Sequence, residues 1–240
     1  PACSRPRAIA VLRDSSAAAG VTAPGVWGSA SYLYDPVDNL RTAIVGTRVS
    51  TLNYGSTTKR LDSVVTNGII AGYDYDGNGN IWHKGGQTYT FDLGNRLTSS
   101  LSGSYAYDGH GRRTKIQSND GTTHIQVYGL GGQLLWSEKN TSSTRTAYIY
   151  LNGKQIAETV IDGATQYVHT DALGSPVAHT NQAGAELNRT KFEPYGYTAA
   201  GTMPGTKVAG LTTTGSAIGF TGHVTDLETD LVYIQQLYYD

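Results

Sequence analysis

Tyr105-Ala106-Tyr107-Asp108-Gly109-His110-Gly111-Arg112 decides the fold. Two aromatic residues at i and i+2 share one face of an extended strand. The Asp-Gly step that follows reaches the positive φ that primed hairpin turns demand. Arg113-Thr114-Lys115-Ile116 then reads as a returning strand. The unit is strand, tight turn, strand.

Working outward, the same unit recurs. Tyr89-Thr90-Phe91-Asp92 precedes Leu93-Gly94-Asn95-Arg96, and Tyr73-Asp74-Tyr75-Asp76 precedes Gly77-Asn78-Gly79-Asn80. Further copies begin at Tyr32-Leu33-Tyr34-Asp35, Leu52-Asn53-Tyr54-Gly55, Val127-Tyr128 and Tyr148-Ile149-Tyr150. The anchors Tyr34, Tyr54, Tyr75, Phe91, Tyr107, Tyr128 and Tyr150 stand 20, 21, 16, 16, 21 and 22 residues apart. Self-similarity of this kind sets the architecture. A lone hairpin is marginal in water, so the units must stack edge to edge. Stacking aligns the tyrosines into ladders, in which cross-strand aromatic pairs contribute roughly 0.2–1 kcal/mol each. The Asp that recurs after Tyr is expected to cap its turn. No stretch shows a capped helical period, and Leu227 to Leu237 reads as a strand pair. The fold class is all-β, built of stacked antiparallel hairpins.

Composition agrees. The 240 residues hold 30 Gly and 17 Tyr but 3 Phe, and charged residues make up 15%. Tyrosine keeps a hydroxyl that needs water or a partner, which suits thin, half-wet sheets. The net charge of -1 gives no basic footprint for nucleic acid. A single cysteine, Cys3, excludes intrachain disulfides and cysteine-based zinc sites. No apolar run approaches a membrane span, and the start Pro1-Ala2-Cys3-Ser4 lacks a signal peptide's apolar core. Three segments follow: 1–30 as linker or edge strand, 31–160 as hairpin repeats, and 161–240 as a distinct motif-bearing segment.

The repeats resemble YD repeats, best seen at Tyr73 to Asn80 and Tyr105 to Arg112, where Tyr75, Asp76, Tyr107 and Asp108 occupy the motif positions. Downstream, Tyr167-Val168-His169-Thr170-Asp171-Ala172-Leu173-Gly174-Ser175-Pro176 is similar to the opening of the core associated with RHS repeats. Phe192-Glu193-Pro194-Tyr195-Gly196 is similar to its next motif. Gly219-Phe220-Thr221-Gly222-His223 with Asp226 to Tyr233 resembles the third, and Leu237-Tyr238-Tyr239-Asp240 the fourth. Leu237 and Asp230 depart from the family pattern, which commonly has Arg and Gly there. The resemblance assigns structural roles to Asp171, Gly174, Pro176, Pro194, Gly196, Gly219, Gly222, Tyr238, Tyr239 and Asp240. It implies a strip that is curved or forms part of a hollow β-shell. In such shells a self-cleaving aspartyl protease segment follows the fourth motif, so it is expected beyond Asp240 and no catalytic residue is carried over.

Several residue sets invite chemistry. Asp74, Asp76 and Asn78, with Gly79, read like the start of a calcium loop, but Gly85 stands where its bidentate Glu belongs. A repeat turn is the preferred reading, so no metal or cofactor is expected. His169, Asp171 and Ser175 lack the strand-turn-helix elbow of a hydrolase. Asp226, Glu228 and Asp230 read as a solvated turn, since charges are rarely buried. His83, His110, His124, His179 and His223 lack ligand spacing. Trp82 and Trp136 are the candidate ligand-stacking residues, with Trp27, although such rings also serve cross-strand pairing.

The first functional expectation is a structural shell fragment of a bacterial RHS toxin that encapsulates or displays a C-terminal effector. Its partners would be that toxin domain or the remaining shell. The second is a carbohydrate- or protein-binding repeat module at a cell surface. An enzyme ranks last. Location follows as secreted, delivered by a bacterial secretion system, or at the cell surface. Exposed sheet edges are expected to favour self-association.

Overall fold

The computed structural model describes residues 18–23, 28–141, 144–199, 218–226, 231–234 and 237–239. Their main feature is one 18-stranded antiparallel sheet. It begins with β1 (Ala18–Ala23), β2 (Gly28–Tyr34), β3 (Leu40–Val45), β4 (Arg48–Tyr54), β5 (Leu61–Thr66) and β6 (Ile69–Tyr75). β7 (Ile81–Lys84), β8 (Gln87–Phe91), β9 (Leu97–Ser100), β10 (Gly103–Tyr107), β11 (Arg113–Ser118) and β12 (Thr123–Tyr128) continue it. It ends with β13 (Leu134–Lys139), β14 (Thr144–Leu151), β15 (Lys154–Val160), β16 (Thr165–Thr170), β17 (Pro176–Thr180) and β18 (Glu186–Arg189). Each strand pairs with its neighbours in sequence, so the chain zigzags along a single strip.

Pairing in sequence order follows from the turns. The first tyrosine of each pair is buried and the second half-buried on the same face, as at Tyr73 with Tyr75 and Tyr105 with Tyr107. The turn after the motif differs from the expected primed two-residue turn. Asp76 N–H donates to Asn80 O (2.9 Å), and Gly79 N–H donates to Asp76 O (3.1 Å). The same bonds join Asp92 to Arg96 and Asp108 to Arg112. A register shift just before the turn accompanies each one. This is a three-residue turn with a bulge, in which the positive φ falls on the third residue after Asp. Gly79 (93°), Asn95 (59°) and Gly111 (77°) occupy that place. Gly77 and Gly109, beside the aspartates, have no such requirement. True two-residue turns with both φ positive occur at Asn67-Gly68 and Asn152-Gly153.

Direct aromatic pairing across strands was the other expectation, and the register corrects it. Tyr32 faces Ala43, Tyr73 faces Lys84, Tyr105 faces Ile116 and Tyr148 faces Glu158. Two strands per repeat place a strand without tyrosine between successive tyrosine-bearing strands.

Beyond the strip lie β19 (Lys191–Phe192) with β20 (Thr198–Ala199), and a three-stranded sheet of β21 (Val224–Asp226), β22 (Leu231–Ile234) and β23 (Leu237–Tyr239). Phe220–Gly222 forms a short 3-10 turn before β21. These elements lie on the face of the strip that carries the tyrosine pairs. Ile218, Val224 and Tyr233 pack with Leu134 and Tyr148, while Leu231 reaches the cluster of Tyr89, Leu97, Tyr105 and Ile116. Tyr195 packs with Ala30, Tyr32, Ala43 and Val45.

Those contacts show that the strip curls. Fourteen strand spacings of about 4.8 Å, roughly 65 Å of contour, separate β4 from β18. Yet Thr190 N–H bonds Val177 O in β17, and Glu193, three residues on, pairs with Arg48 in β4. Three residues span at most about 10 Å. Only a strip bent back on itself meets both conditions. The tyrosine-bearing face is therefore the inner, concave one.

Candidate functional site

The inner wall is held at two levels. Along the strip, three repeats are tied to the strand after the preceding turn by a tyrosine hydroxyl. Tyr54 donates to Leu40 O (3.1 Å), Tyr75 to Leu61 O (2.9 Å) and Tyr107 to Leu97 O (2.7 Å). Each acceptor is the first strand residue after the preceding turn. Nearby arginines lie over the same rings: Arg41 over Tyr54, Arg60 over Tyr75 and Arg96 over Tyr107, at 5.1–5.4 Å from the centroids. Cation–π contact of this kind contributes about 0.5–1 kcal/mol at exposed sites. The second tyrosine of the motif thus links repeats through its hydroxyl and its face.

In the turns that carry it, the aspartate after the aromatic pair holds the loop. Asp108 Oδ1 accepts from His110 N and Arg112 N at 2.9 Å, and Oδ2 accepts from Arg112 Nε at 3.0 Å. Asp92 does the same with Gly94 and Arg96, and Asp76 with Asn78 and Asn80. Hydrogen bonds to the ionised form hold these carboxyls below the usual range. The Arg96 side chain is the largest influence on Asp92, the Arg112 backbone on Asp108 and the Asn80 side chain on Asp76.

At the second level, two buried arginines of the strip grip the C-terminal segment. Arg113 is 0% exposed, and its Nη1 donates to Asp226 Oδ2 at 2.7 Å. Its backbone N–H donates to the Tyr233 hydroxyl (2.7 Å), and its guanidinium lies 4.5 Å from the Tyr233 centroid. Arg48 pairs with Glu193 and lies 4.0 Å from the Tyr197 centroid. Burial pushes Glu193 above the ordinary carboxylate range, and Arg48 offsets only part of that rise. Beside this pair the hydroxyls of Tyr34 and Tyr195 meet at 2.5 Å, and Tyr32 meets Tyr195 edge-on at 5.1 Å. Burial, then the bond to Tyr195, pushes the Tyr34 phenol well above its ordinary value. Sequence reasoning missed Arg48 and Arg113. It also took Asp226 for part of a solvated turn, whereas Asp226 is 3% exposed and ion-paired.

The other singled-out residues fall as follows. Asp76 spends its carboxylate on turn donors, and Asp74 Oδ2 lies 3.0 Å from His83 Nδ1. Among the described residues no cluster of His, Cys, Asp and Glu could hold a metal. Asp171 Oδ1 accepts from Leu173 N and Ser175 N, while Ser175 Oγ accepts from Thr221 N (3.0 Å). His169 bonds Thr180 instead, so no nucleophile–base pair forms among these three. Gly174, at φ 90°, lies against Thr221 and Gly222. Pro176 is buried opposite Thr170. Pro194 and Gly196 belong to the turn closed by Glu193 and Tyr197. Gly219 and Gly222 bond each other across the 3-10 turn. Tyr238 and Tyr239 pair with Tyr233 and Val232 along β22. Trp82 is 45% exposed and tilted against His83 at 5.7 Å. Trp136 lies half-buried between Val127 and Ala147. Trp27, Glu228, Asp230 and Asp240 fall outside the described residues.

The chain is similar in sequence to known proteins. Residues 21–240 match the family model described as Teneurin YD-shell. Teneurin-1 of Gallus gallus is 30% identical over 179 residues, 70% of this chain and 6% of the relative. The tRNA3(Ser)-specific nuclease WapA of Bacillus spizizenii is 24% identical over 173 residues, 69% of this chain and 7% of the relative. The Tc holotoxin pore of Photorhabdus luminescens aligns over 88% of this chain and 18% of that one, at TM-score 0.36 and 14% identity. The chain thus spans under a tenth of the length of these curated relatives. From residue 21 onward it belongs to the Teneurin YD-shell family.

Proposed function

We propose that this chain is a section of shell wall from an RHS toxin-type protein, and that the wall holds a C-terminal effector on its concave side. One observation carries the reading. The chain's own C-terminal part already lies against the inner face, with Ile218, Val224 and Tyr233 buried on the strip. A polypeptide continuing from β23 would start out from inside the curl. The role is containment by a structural wall, with delivery out of the producing cell, and no residue acts as a catalyst. The test is limited proteolysis of the whole gene product with any segment encoded after Asp240. Containment predicts that this segment outlasts the same segment expressed free, while the strip stays folded. Equal digestion rates would refute it.

A second reading is a binding module at a cell surface. Exposed Trp82 favours it, beside the Asp74–His83 pair that could bond a sugar hydroxyl. Retention on a glycan array that is lost on Trp82→Ala would support this reading. A flat array with folded protein would remove it.

A further inference from the structure

We propose that the curl has a single seam, closed by the 193–197 turn acting as a clasp, and that the seam opens while the strip remains folded. Along the strip, every neighbour is joined by a backbone ladder. Across the gap between the first hairpins and β18 the described residues show no ladder, only side-chain contacts. Arg48 meets Glu193 and Tyr197, Tyr34 meets Tyr195 hydroxyl to hydroxyl, and Tyr32 meets Tyr195 edge-on.

All of these contacts come from one five-residue turn. Glu193 N–H bonds Tyr197 O (2.8 Å) and Gly196 N–H bonds Glu193 O (2.9 Å), the same turn the strip uses between its repeats. Its other side is wedged in place. A Cβ on Gly196 would lie 2.7 Å from Phe220 Cδ1, and Phe192 packs on Phe220 at 5.6 Å. The turn is thus a rigid insert between the first hairpins and the 220–222 turn, not a continuation of the sheet.

Two features make the seam separable. A ladder dissolves only when several backbone bonds break together, whereas the clasp is a few side-chain contacts on one turn. The rest of the C-terminal segment is anchored independently, through Arg113–Asp226 and Ser175–Thr221. Releasing the clasp leaves those anchors intact. The strip then relaxes at the seam, giving whatever occupies the concave side a sideways exit. The inference does not depend on what that occupant is.

The test is a distance across the seam. Thr47 and Ala183 are exposed turn residues on the same rim, one on each side of the gap. In full-length protein carrying Cys3→Ser, spin labels at Thr47→Cys and Ala183→Cys should give one narrow distance distribution. Adding Arg48→Met with Glu193→Leu removes both charges, so neither is left buried alone. The distribution should then broaden and lengthen by at least about 10 Å, two strand spacings. Hydrogen exchange in β9 to β15 should not change. An unchanged distance would show that the seam is held by something else. A second measurement covers a variant that fails to fold: in the parent protein, the label distance should lengthen at lower urea than the loss of sheet signal. Coincident transitions would show that clasp and strip are one cooperative unit and overturn the proposal.

Discussion

Arg113 in β11 and Asp226 in β21 form a buried ion pair at 2.7 Å across 113 residues of chain, both essentially without solvent contact. Taking two charges out of water is costly, and their attraction offsets this only when both are present. Arg113→Met alone would strand the Asp226 carboxylate and should cost about 3–5 kcal/mol. Arg113→Met with Asp226→Leu should cost clearly less, because nothing charged is left behind. Denaturant unfolding of both variants measures the difference. Equal losses would mean that packing against Tyr233 and Tyr105, not charge, holds the inner segment.

The turn carboxylates predict an acid-sensitive strip. Asp76, Asp92 and Asp108 have pKa values depressed by donors that exist only in the folded turn. A depressed folded-state pKa adds stability above the unfolded value, which is lost as pH falls through the folded one. Stability should therefore be level near neutrality and decline below about pH 4, the ordinary range of aspartate. Replacing all three by Asn should lower the neutral melting temperature by several degrees and flatten the acid decline. An acid decline of undiminished steepness in the triple variant would place the sensitive groups elsewhere.

The sequence pattern made the strip legible because its causes are local. The spacing of Tyr73 and Tyr75 sets a face, and the Asp76 turn sets a reversal. Where the pattern misled, a longer-range cause was acting. The bulge before Asp76 moved the positive φ from Gly77 to Gly79, which depends on the partner strand as well as the dipeptide. Arg113 looked like any strand-end cation, since its partner lies in a different segment of chain. Asp226 looked solvated for the same reason. The family resemblance drew attention to the motif from Phe192 to Gly196, but only the curl of the strip shows what that turn touches.

Calcium should leave the chain unchanged, despite the Asp74-x-Asp76-x-Asn78-Gly79 spacing. Asp76 Oδ1 and Oδ2 are already engaged by Asn78, Asn80 and the turn backbone, and Asp74 faces His83. A calcium site needs six to eight oxygen ligands free to converge. Melting curves with added calcium and with chelator should superimpose. A calcium-dependent rise would reinstate the site.

Glycine substitutions should separate positions that look alike in sequence. Gly77 has open space around its missing Cβ and no positive φ, so Gly77→Ala should stabilise by about 0.4–1 kcal/mol through the unfolded chain. Gly79, two residues on, sits at φ +93°, and Gly79→Ala should cost about 1–2 kcal/mol. Gly103 has an ordinary φ, but a Cβ there would lie 2.3 Å from the Gln117 carbonyl oxygen. Overpacking against backbone makes Gly103→Ala the worst of the three, at about 1–3 kcal/mol or more. The ranking, read by denaturant midpoint at constant m, is the result to check. Gly77→Ala costing as much as Gly79→Ala would contradict the three-residue turn.

Tyr34 and Tyr150 predict the behaviour at the alkaline end. Burial pushes both phenols above the ordinary tyrosine value, and for Tyr34 the bond to Tyr195 adds to it. The neutral phenol is therefore favoured in the folded chain, and the unfolded chain releases its proton first. The linked stability is whole below about pH 10, where even unfolded tyrosine keeps its proton, and is lost as pH rises past that point. Unfolding free energy should hold level from neutrality to about pH 9.5 and then fall. Tyr34→Phe removes one titrating group, so the fall should be shallower even if the starting stability is lower. Tyr195→Phe keeps the Tyr34 phenol buried and should preserve most of the slope. If Tyr34→Phe leaves the slope unchanged, the phenol pair at the clasp does not govern the alkaline limit.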